Sequence, residues 1–273
     1  RSGCDWSSDV CSSDLISSRA RFMNPSSPLS RKQLEYFKTH GFLILKNLID
    51  ELSVNQWREQ IWRELDSSFD RPESWPRHRS GLDGYQYDPP ESAFGRHPAL
   101  APIIQQLGGG NFSTTGGGAP IIRWPEPEKS WQMPQSGHID AYGGNWSPFM
   151  IGATTYLYEV QPKGGAFIFW PDSHYVAHRY FKKNPTKVDG SFMKEEGFSW
   201  DIFCHNPKLV GQEFIASPGD VVLWHSYLTH NGSTNVNSSP RIALFARWPH
   251  YQQRQPNDFR YDIPEDLWEH WAI

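Results

Sequence analysis

Cysteine, excess positive charge and long apolar runs are all scarce in this sequence. Of its three cysteines, Cys4 and Cys11 fall in the first fifteen residues, which leaves Cys204 as a single thiol in the remainder. One thiol can form neither a disulfide framework nor a CxxC zinc site, and this usage is typical of the reducing cytoplasm. No apolar run approaches the ~18 residues that a transmembrane helix needs, so we expect no membrane span.

The charge balance argues against another class of partner. The 26 lysines and arginines are outnumbered by 30 aspartates and glutamates, which gives a formal net charge of −4. A protein that binds a phosphate backbone normally carries a basic surplus, so we expect no nucleic-acid partner. Large aromatic rings are abundant instead, with 13 tryptophans in a composition that is 37% hydrophobic. We therefore predict a soluble, cytoplasmic, globular protein with a sizeable core.

The first thirty residues differ in character from the rest. Residues 1–15 read RSGCDWSSDVCSSDL, which resembles translated sequencing-adapter DNA. They have neither the apolar stretch of a signal peptide nor the arginine-rich pattern of a transit peptide. We interpret 1–15 as an artefact, with Met23 as a plausible start, and predict a disordered tail over 1–29. Residues 30–273 are predicted to form a single domain.

Helix signals are concentrated in the first third of the chain. Ser30, with a glutamine three residues later, has a capping-box pattern, so we predict a short helix that ends at His40 and is followed by a strand over 42–45. Ser53 has the same pattern and predicts a second helix. The buried stripe of that helix should consist of Val54, Trp57, Ile61, Trp62 and Leu65.

Residues 67–97 are rich in proline, arginine, tyrosine and tryptophan and show no periodicity. We predict a long ordered loop here, and loops of this length are usually lids or binding walls. Its basic and aromatic side chains suggest a substrate entrance, although a solvated loop is the plainer alternative. Residues 98–107 predict one more helix, which should end at the glycines 108–110.

Beyond residue 112 the sequence changes to β-rich runs separated by Gly, Pro, Asp and Asn. The runs that predict strands are 121–124, 150–160, 166–170, 221–228 and 241–248. Helices gathered early and strands gathered late predict an α+β fold, in which the strands form a jelly roll and the helices flank it on the N-terminal side.

A possible metal site begins with His138-Ile139-Asp140. In a strand, positions i and i+2 point to the same face, so the imidazole of His138 and the carboxylate of Asp140 would stand side by side. Such a pair can supply two neighbouring ligands to a divalent first-row metal. Without a third ligand, a polar strand end explains the pair equally well.

His230 is the candidate third ligand. It follows a Pro-Gly-Asp turn and an apolar run, at the point where the predicted strand runs out. His225 is the rival, but an offset of five residues puts the two histidines on opposite faces of a regular strand, so only one can join the site. We favour His230, because a histidine inside an apolar run is more often a hydrogen-bonded core residue.

Arg241 lies eleven residues after His230, beyond a loop-forming stretch. The chain should therefore reverse and bring this guanidinium back near the metal, where it can bind a carboxylate through two parallel hydrogen bonds. Arg247 has the same strand parity and is the competitor. It lies roughly 20 Å further along an extended strand, too far for one small acid to bridge. For either arginine, a surface charge is the alternative. A further motif, Trp170-Pro171-Asp172-Ser173-His174, predicts a tight turn that His174 fixes without binding metal.

Together these residues resemble the phytanoyl-CoA dioxygenase (PhyH) family of iron(II)- and 2-oxoglutarate-dependent oxygenases. The resemblance extends over about residues 30–250 and is carried by His138 and Asp140, the turn at 170–174, the run PGDVVLWHSYLTHNGS that contains His230, and Arg241. It implies a double-stranded β-helix, the jelly-roll or cupin-like fold. It also implies a small-molecule substrate that is hydroxylated at a C–H bond, with 2-oxoglutarate and O2 as co-substrates and release of succinate and CO2.

The resemblance also implies roles for individual residues. Fe(II) would be bound by His138, Asp140 and His230, and the far carboxylate of 2-oxoglutarate by Arg241. The further candidates for the co-substrate pocket are Tyr156, Ser233, which stands one position later than the family's serine, and Arg123. Halogenating relatives lack the metal-binding carboxylate, so Asp140 favours hydroxylation.

Two other functions compete with this interpretation. A cupin-like metalloenzyme could use the same ligands without 2-oxoglutarate, although Arg241 argues against it. A jelly-roll module that binds ligands without catalysis, such as a glycan binder that uses the tryptophans, is the non-enzymatic alternative.

Overall fold

The computed structural model describes residues 29–113, 116–142, 151–250 and 263–273. The predicted tail, with the suspected artefact 1–15 and Met23, lies outside the described residues except for Leu29. That residue is buried in the core, so the packed part of the chain includes at least one residue that we had assigned to the tail.

The N-terminal helices are capped in two different ways. Helix α1 (Arg31–His40) begins at the predicted capping box on Ser30. Strand β1 (Phe42–Leu45) and helix α2 (Glu51–Glu64) follow. The predicted cap of α2 at Ser53 is wrong. Asp50 is the N-cap, and its carboxylate accepts the amide hydrogen of Ser53 at 2.9 Å, because a charged oxygen at this position satisfies an orphan donor and complements the helix dipole.

The long loop over 67–97 packs beside α2. It contains 3-10 turns at Pro72–Ser74, Pro90–Ser92 and Phe94–Arg96, and helix α3 (Ala101–Gly108) follows it. Its aromatic residues Trp75 and Tyr87 are buried in the same core as the α2 stripe. Trp75 and Tyr87 are therefore core residues that offer no exposed ring to a substrate, whereas the basic residues Arg71, Arg77 and His78 of the loop are exposed.

The strands form two antiparallel sheets in the described residues. The five-stranded sheet has the order β1-β6-β3-β8-β2, and the three-stranded sheet has the order β5-β4-β7. In chain order the remaining strands are β2 (Ile121–Arg123), β3 (Ile151–Tyr156), β4 (Phe167–Phe169), β5 (Gln212–Glu213), β6 (Val221–His225), β7 (His230–Gly232) and β8 (Arg241–Trp248). The α+β jelly-roll prediction is confirmed.

Side-chain alternation along β8 separates two cores. Ile242 belongs to the core that the five-stranded sheet shares with the helices, including Trp57 of α2. Ala243 belongs to the second core, which lies between the two sheets. Because residues two apart share a face, Arg241 and Arg247 point into the space between the sheets, where an active site of a jelly roll is formed.

One helix was not predicted. Helix α4 (Ser173–Lys183) begins immediately after Asp172, which has a left-handed backbone with φ 68°. The turn that we predicted at 170–174 is therefore the start of a helix, whose buried stripe includes His174, Ala177 and Phe181. The chain continues through 3-10 turns at Pro185–Asp189, Ser191–Lys194 and Trp200–Phe203. None of the helices in the described ranges is both long and apolar enough to cross a membrane.

Candidate metal centre and co-substrate pocket

His138 and His230 lie side by side because their backbones pair. The amide of His138 donates to the carbonyl of His230 at 2.9 Å, and the amide of His230 donates to the carbonyl of His138 at 2.8 Å. This bridge is isolated, so His138 does not lie in the regular strand that we predicted. Gly137 permits the close approach, since a Cβ there would lie 2.3 Å from the carbonyl oxygen of His230.

Asp140 completes a cluster of three ligand atoms. Its Oδ1 lies 3.5 Å from Nε2 of His138, and its Oδ2 lies 3.6 Å from Nε2 of His230. One ligand atom of each residue lies within 4.8 Å of the other two. Two imidazoles and one carboxylate on one side of a metal are the donor set of non-haem Fe(II) oxygenases, so the donors fit an iron ion.

His230 reaches this cluster by a route that differs from the prediction. Strand β6 ends at His225, and a turn over 226–229 carries the chain to the other sheet, where β7 begins with His230. His225 lies on the helix side, where its ring stacks on Trp271 with the centroids 5.2 Å apart. The two histidines thus face different cores and His225 is a core residue, as predicted, but the turn over 226–229 separates them and not strand parity.

The electrostatics of the cluster favour metal binding. Burial lowers the pKa of His230 to about 4, so its imidazole is neutral at pH 7 and can act as a ligand. Burial by itself would raise the pKa of Asp140. The nearby His230, His138 and Arg247 outweigh burial and hold the pKa of this carboxyl well below its usual value. A charged carboxylate and a neutral imidazole are the forms that a divalent cation binds.

Arg247 is a residue at this site that the sequence argument placed wrongly. Its Nη2 lies 3.5 Å from Oδ2 of Asp140, and its guanidinium carbon lies 5.9 Å from the ring centroid of Trp224. Trp224 is in turn 4.5 Å from the ring of His230. We had predicted that Arg241 would be the arginine nearer the metal and that Arg247 would lie roughly 20 Å further along the strand. Instead the guanidinium of Arg247 contacts the ligand Asp140. The shared parity of the two arginines was predicted correctly.

Arg241 lies at the other end of β8 and is buried, with 3% of its surface exposed. Its Nε donates to the carbonyl of Gly165 at 2.6 Å and its Nη1 to the carbonyl of Ile121 at 3.1 Å. Among the described residues no carboxylate pairs with it. Burial lowers the pKa of Arg241 to about 10, so the group is still charged at pH 7. A buried cation of this kind requires an anionic partner.

Arg123 adds a second guanidinium to this end of the pocket. It pairs in register with Arg241, and its charge contributes to the lowered pKa of that residue. A Cβ on Gly232 would lie 3.0 Å from Nη2 of Arg123, so the bare glycine makes room for this side chain. Its Nε is buried and has no hydrogen-bond partner. Two guanidiniums and an orphaned donor fit the anionic end of a small dicarboxylate such as 2-oxoglutarate.

The last two predicted pocket residues have polar partners on β4 or next to it. Tyr156 is fully buried, and its hydroxyl oxygen accepts the amide hydrogen of Phe167 at 2.7 Å. Burial raises the pKa of Tyr156 to about 12, so its proton is available for donation, and its ring lies 6.0 Å from the Arg241 guanidinium. Ser233 donates instead to the carbonyl of Ala166 at 3.3 Å.

Comparisons with known proteins identify the family and the fold of this chain. A family model described as phytanoyl-CoA dioxygenase (PhyH) matches residues 37–243. The non-haem alpha-ketoglutarate-dependent carbocyclase SnoK from nogalamycin biosynthesis superposes with a TM-score of 0.54 at 17% identity, over 82% of this chain and 87% of that chain. HygX from Streptomyces hygroscopicus, with nickel and 2-oxoglutarate bound, gives 0.53 at 17% identity, over 82% and 88%.

A third solved structure is the epimerase SnoN in complex with Fe3+, alpha-ketoglutarate and nogalamycin RO. It gives a TM-score of 0.54 at 14% identity, over 80% of this chain and 82% of that chain. No curated protein matches the sequence. At such identities the structural likeness shows the fold, and the family follows from the match to 37–243.

Proposed function

Because this chain belongs to the phytanoyl-CoA dioxygenase (PhyH) family of iron- and 2-oxoglutarate-dependent oxygenases, we propose that it hydroxylates a C–H bond of a small organic molecule. One observation carries the proposal. The ligand atoms of His138, Asp140 and His230 converge within 4.8 Å although His230 is far from the other two in sequence. A purely structural role would not require two imidazoles and a carboxylate to direct their ligand atoms to the same place.

We assign the iron to these three side chains. A bound iron ion would supply the oxidation chemistry, which the family couples to conversion of 2-oxoglutarate into succinate and CO2. The chain itself supplies a neutral His230, an ionised Asp140 and the fixed spacing of the two histidines. Three protein ligands on one side leave the remaining metal positions to the co-substrate and to oxygen.

We assign the far carboxylate of 2-oxoglutarate to Arg241 and Arg123. An anion there would pair with the buried guanidinium of Arg241 and with the buried Nε of Arg123. Hydrogen bonds between charged partners of this kind are stronger than neutral ones. We assign the protonated hydroxyl of Tyr156 as a further donor to the same carboxylate, because its ring lies 6.0 Å from the Arg241 guanidinium. Ser233 is kept as a weaker member of the set, since its hydroxyl is engaged with Ala166.

Asp140 supports hydroxylation over halogenation. A carboxylate that binds iron occupies the position that a halide would need, so a metal centre with this ligand directs the reaction towards hydroxyl transfer. The cellular location that we propose is the cytoplasm, because Cys204 is a buried free thiol.

The test is a turnover experiment with an unbiased substrate source. The protein is loaded with Fe(II) and 2-oxoglutarate without oxygen, mixed with a metabolite extract and then exposed to oxygen. We expect succinate together with a product that is one oxygen atom heavier than its precursor. A product that has lost two hydrogens, or has unchanged mass, would keep the enzyme class but contradict hydroxylation. Absence of succinate would favour the cupin-like alternative.

The ligand assignment has its own test. His138→Ala and Asp140→Ala should abolish retention of iron, measured as bound metal after gel filtration. His205→Ala is the matched control, because His205 is an exposed histidine outside the cluster. Full iron retention in either ligand variant would refute the assigned site.

A further inference from the structure

Of the three ligand side chains, that of His138 is the most exposed to solvent. The side chain of His138 is 45% exposed, whereas those of Asp140 and His230 are 17% and 6% exposed. Behind His230 lie the rings of Trp224 and Phe167, at 4.5 and 5.2 Å between centroids. The His138 edge is therefore an open approach to the ligand cluster, and the side chain of Arg247 beside Asp140 is also 39% exposed.

Two aromatic rings form the wall at this edge. The ring of Trp200 lies 6.2 Å from that of His138, and the ring of Tyr142 lies 5.6 Å from that of Trp200. Both are partly exposed. Tyr142 is tied directly to the metal centre, because its amide donates to the carbonyl of Asp140 at 3.1 Å. Tyr142 and the two ligands His138 and Asp140 thus belong to one short segment of the chain.

Three phenylalanine rings pack against Trp200. Phe198, Phe192 and Phe203 lie 5.2, 5.8 and 6.0 Å from it, in edge-on or tilted contact. The ring neighbours of Trp200 are thus aromatic or imidazole groups. An indole that is packed among other rings and is still partly exposed offers a preformed surface for a flat ring.

We propose that Trp200 and Tyr142 form the substrate platform, and that the substrate carries an aromatic ring which stacks on Trp200 while its reacting carbon faces the metal. This inference rests on the proposed function and adds the substrate class. Aromatic pairs prefer offset-stacked or edge-on arrangements, and they bind more tightly than the buried area alone provides. The platform therefore selects a ring system over an aliphatic chain of the same size.

A paramagnetic binding experiment tests this without turnover. The protein is loaded with Mn(II) and 2-oxoglutarate, and 2-naphthol is added as the probe. Mn(II) broadens proton NMR signals steeply with decreasing distance, so broadening of the naphthol signals reports binding beside the metal. The matched saturated probe is decahydro-2-naphthol. We expect 2-naphthol to bind about tenfold more tightly than the saturated probe, in line with the strength of aromatic pairs.

Matched variants separate stacking from simple apolar contact. Trp200→Phe keeps an aromatic ring, and Trp200→Leu fills the space without one. We expect about a tenfold loss of naphthol affinity in Trp200→Leu and a much smaller loss in Trp200→Phe. Tyr142→Leu and Tyr142→Phe repeat the comparison if the Trp200 variants fail to fold. Tyr36→Ala, which removes an exposed ring on α1, should change nothing.

The outcomes distinguish this inference from the proposed function. Mn(II) affinity is measured separately by EPR titration in each variant. If the wild-type protein binds no Mn(II), the metal centre and the platform both fail. If Mn(II) binds but the two probes bind equally, or naphthol is indifferent to Trp200→Leu, the platform is wrong and the metal centre stands.

Discussion

His138 and His230 are joined by two reciprocal backbone hydrogen bonds, of 2.9 and 2.8 Å, so their spacing is set by main chain and does not depend on a metal ion. Preorganised ligands need little rearrangement when the ion binds, and the protein gains affinity by this. The bridge also explains why a glycine precedes His138, since a side chain at Gly137 would collide with the carbonyl oxygen of His230.

Gly137→Ala should therefore weaken metal binding while most of the fold survives. Its Cβ would force the two backbones apart and move His138 out of position, and we expect Mn(II) affinity to fall by about 10- to 100-fold, the range seen when groups that support metal ligands are lost. EPR titration measures this. The control is Gly81→Ala, whose Cβ would meet no atom closer than 3.8 Å. Unchanged Mn(II) affinity in Gly137→Ala would show that the bridge does not set the ligand spacing.

The two interior arginines of β8 should affect different ligands. Arg241→Ala removes a buried charge from the co-substrate end and should raise the KM for 2-oxoglutarate by about tenfold or more. Arg247→Ala removes a neighbour of Asp140 and should change Mn(II) affinity more than the 2-oxoglutarate requirement. Steady-state succinate release gives the first quantity and EPR titration the second. Equal effects of the two variants on the KM would mean that the wrong arginine has been assigned.

Gly232→Ala tests the place of Arg123 without removing a charge. The added methyl group would lie 3.0 Å from Nη2 of Arg123 and should push that guanidinium away from the co-substrate. We expect the dissociation constant of 2-oxoglutarate, measured by calorimetry on the Mn(II)-loaded protein, to rise roughly threefold to tenfold. Arg123→Ala should have at least as large an effect. If the dissociation constant of 2-oxoglutarate rises in Gly232→Ala but not in Arg123→Ala, the effect comes from a change in the backbone at Gly232 and not from Arg123.

The corrected cap of α2 predicts unequal effects at two neighbouring residues. Asp50→Ala should lower the free energy of unfolding by about 1 kcal/mol, the usual cost of losing a helix N-cap. Ser53→Ala should cost clearly less, because the amide of Ser53 keeps its bond to Asp50. Urea unfolding of both variants measures the difference. A larger loss in Ser53→Ala would restore the cap predicted from the sequence.

Buried histidines should make the metal-free protein sensitive to acid. Burial lowers the pKa of His174 from its ordinary 6.5 to about 4 and that of His225 well below its ordinary value. Below pH 6.5 the unfolded chain therefore binds protons that the folded protein does not, and the free energy of unfolding falls as the pH drops towards 4. For His174 the loss is at most about 3 kcal/mol. Melting temperatures between pH 7 and 4 measure it.

His174→Gln provides the comparison for this acid sensitivity. The amide can still donate to the carbonyl of Lys38, as Nε2 of His174 does at 3.0 Å, but it cannot take up a proton. We expect a shallower fall of the melting temperature with acidification than in the wild type, whatever the stability at pH 7. An identical slope would exclude His174 as a source of the acid sensitivity.

Local chemistry made part of the fold predictable. The Ser30 capping box and the run 241–248 gave the correct bounds of α1 and β8, because both depend on neighbours in sequence. The run 221–228 did not give the correct end of β6. Its apolar residues continue beyond the strand into a turn that is also buried. The predicted strand over 150–160 ends at Tyr156, and its first residue, Met150, lies outside the described residues.

The site was predictable to the extent that it follows a motif. The positions of His138, Asp140 and His230 carried the resemblance, and the structure brings them together. Trp200 gave no such signal, because it lies in a segment without periodicity and reaches His138 only through tertiary packing. The contact between Arg247 and Asp140 depends on the path of the chain between β2 and Asp140. The spacing of residues in the sequence does not predict that path.

The bridge between His138 and His230 also bears on when a newly made chain can bind iron. It joins residues that are far apart in sequence, and such long-range contacts form late because closing a large loop is entropically costly. A nascent or partly folded chain thus lacks the assembled ligand set. The ligand set is therefore complete only when the strand that carries His230 has paired with the segment that carries His138.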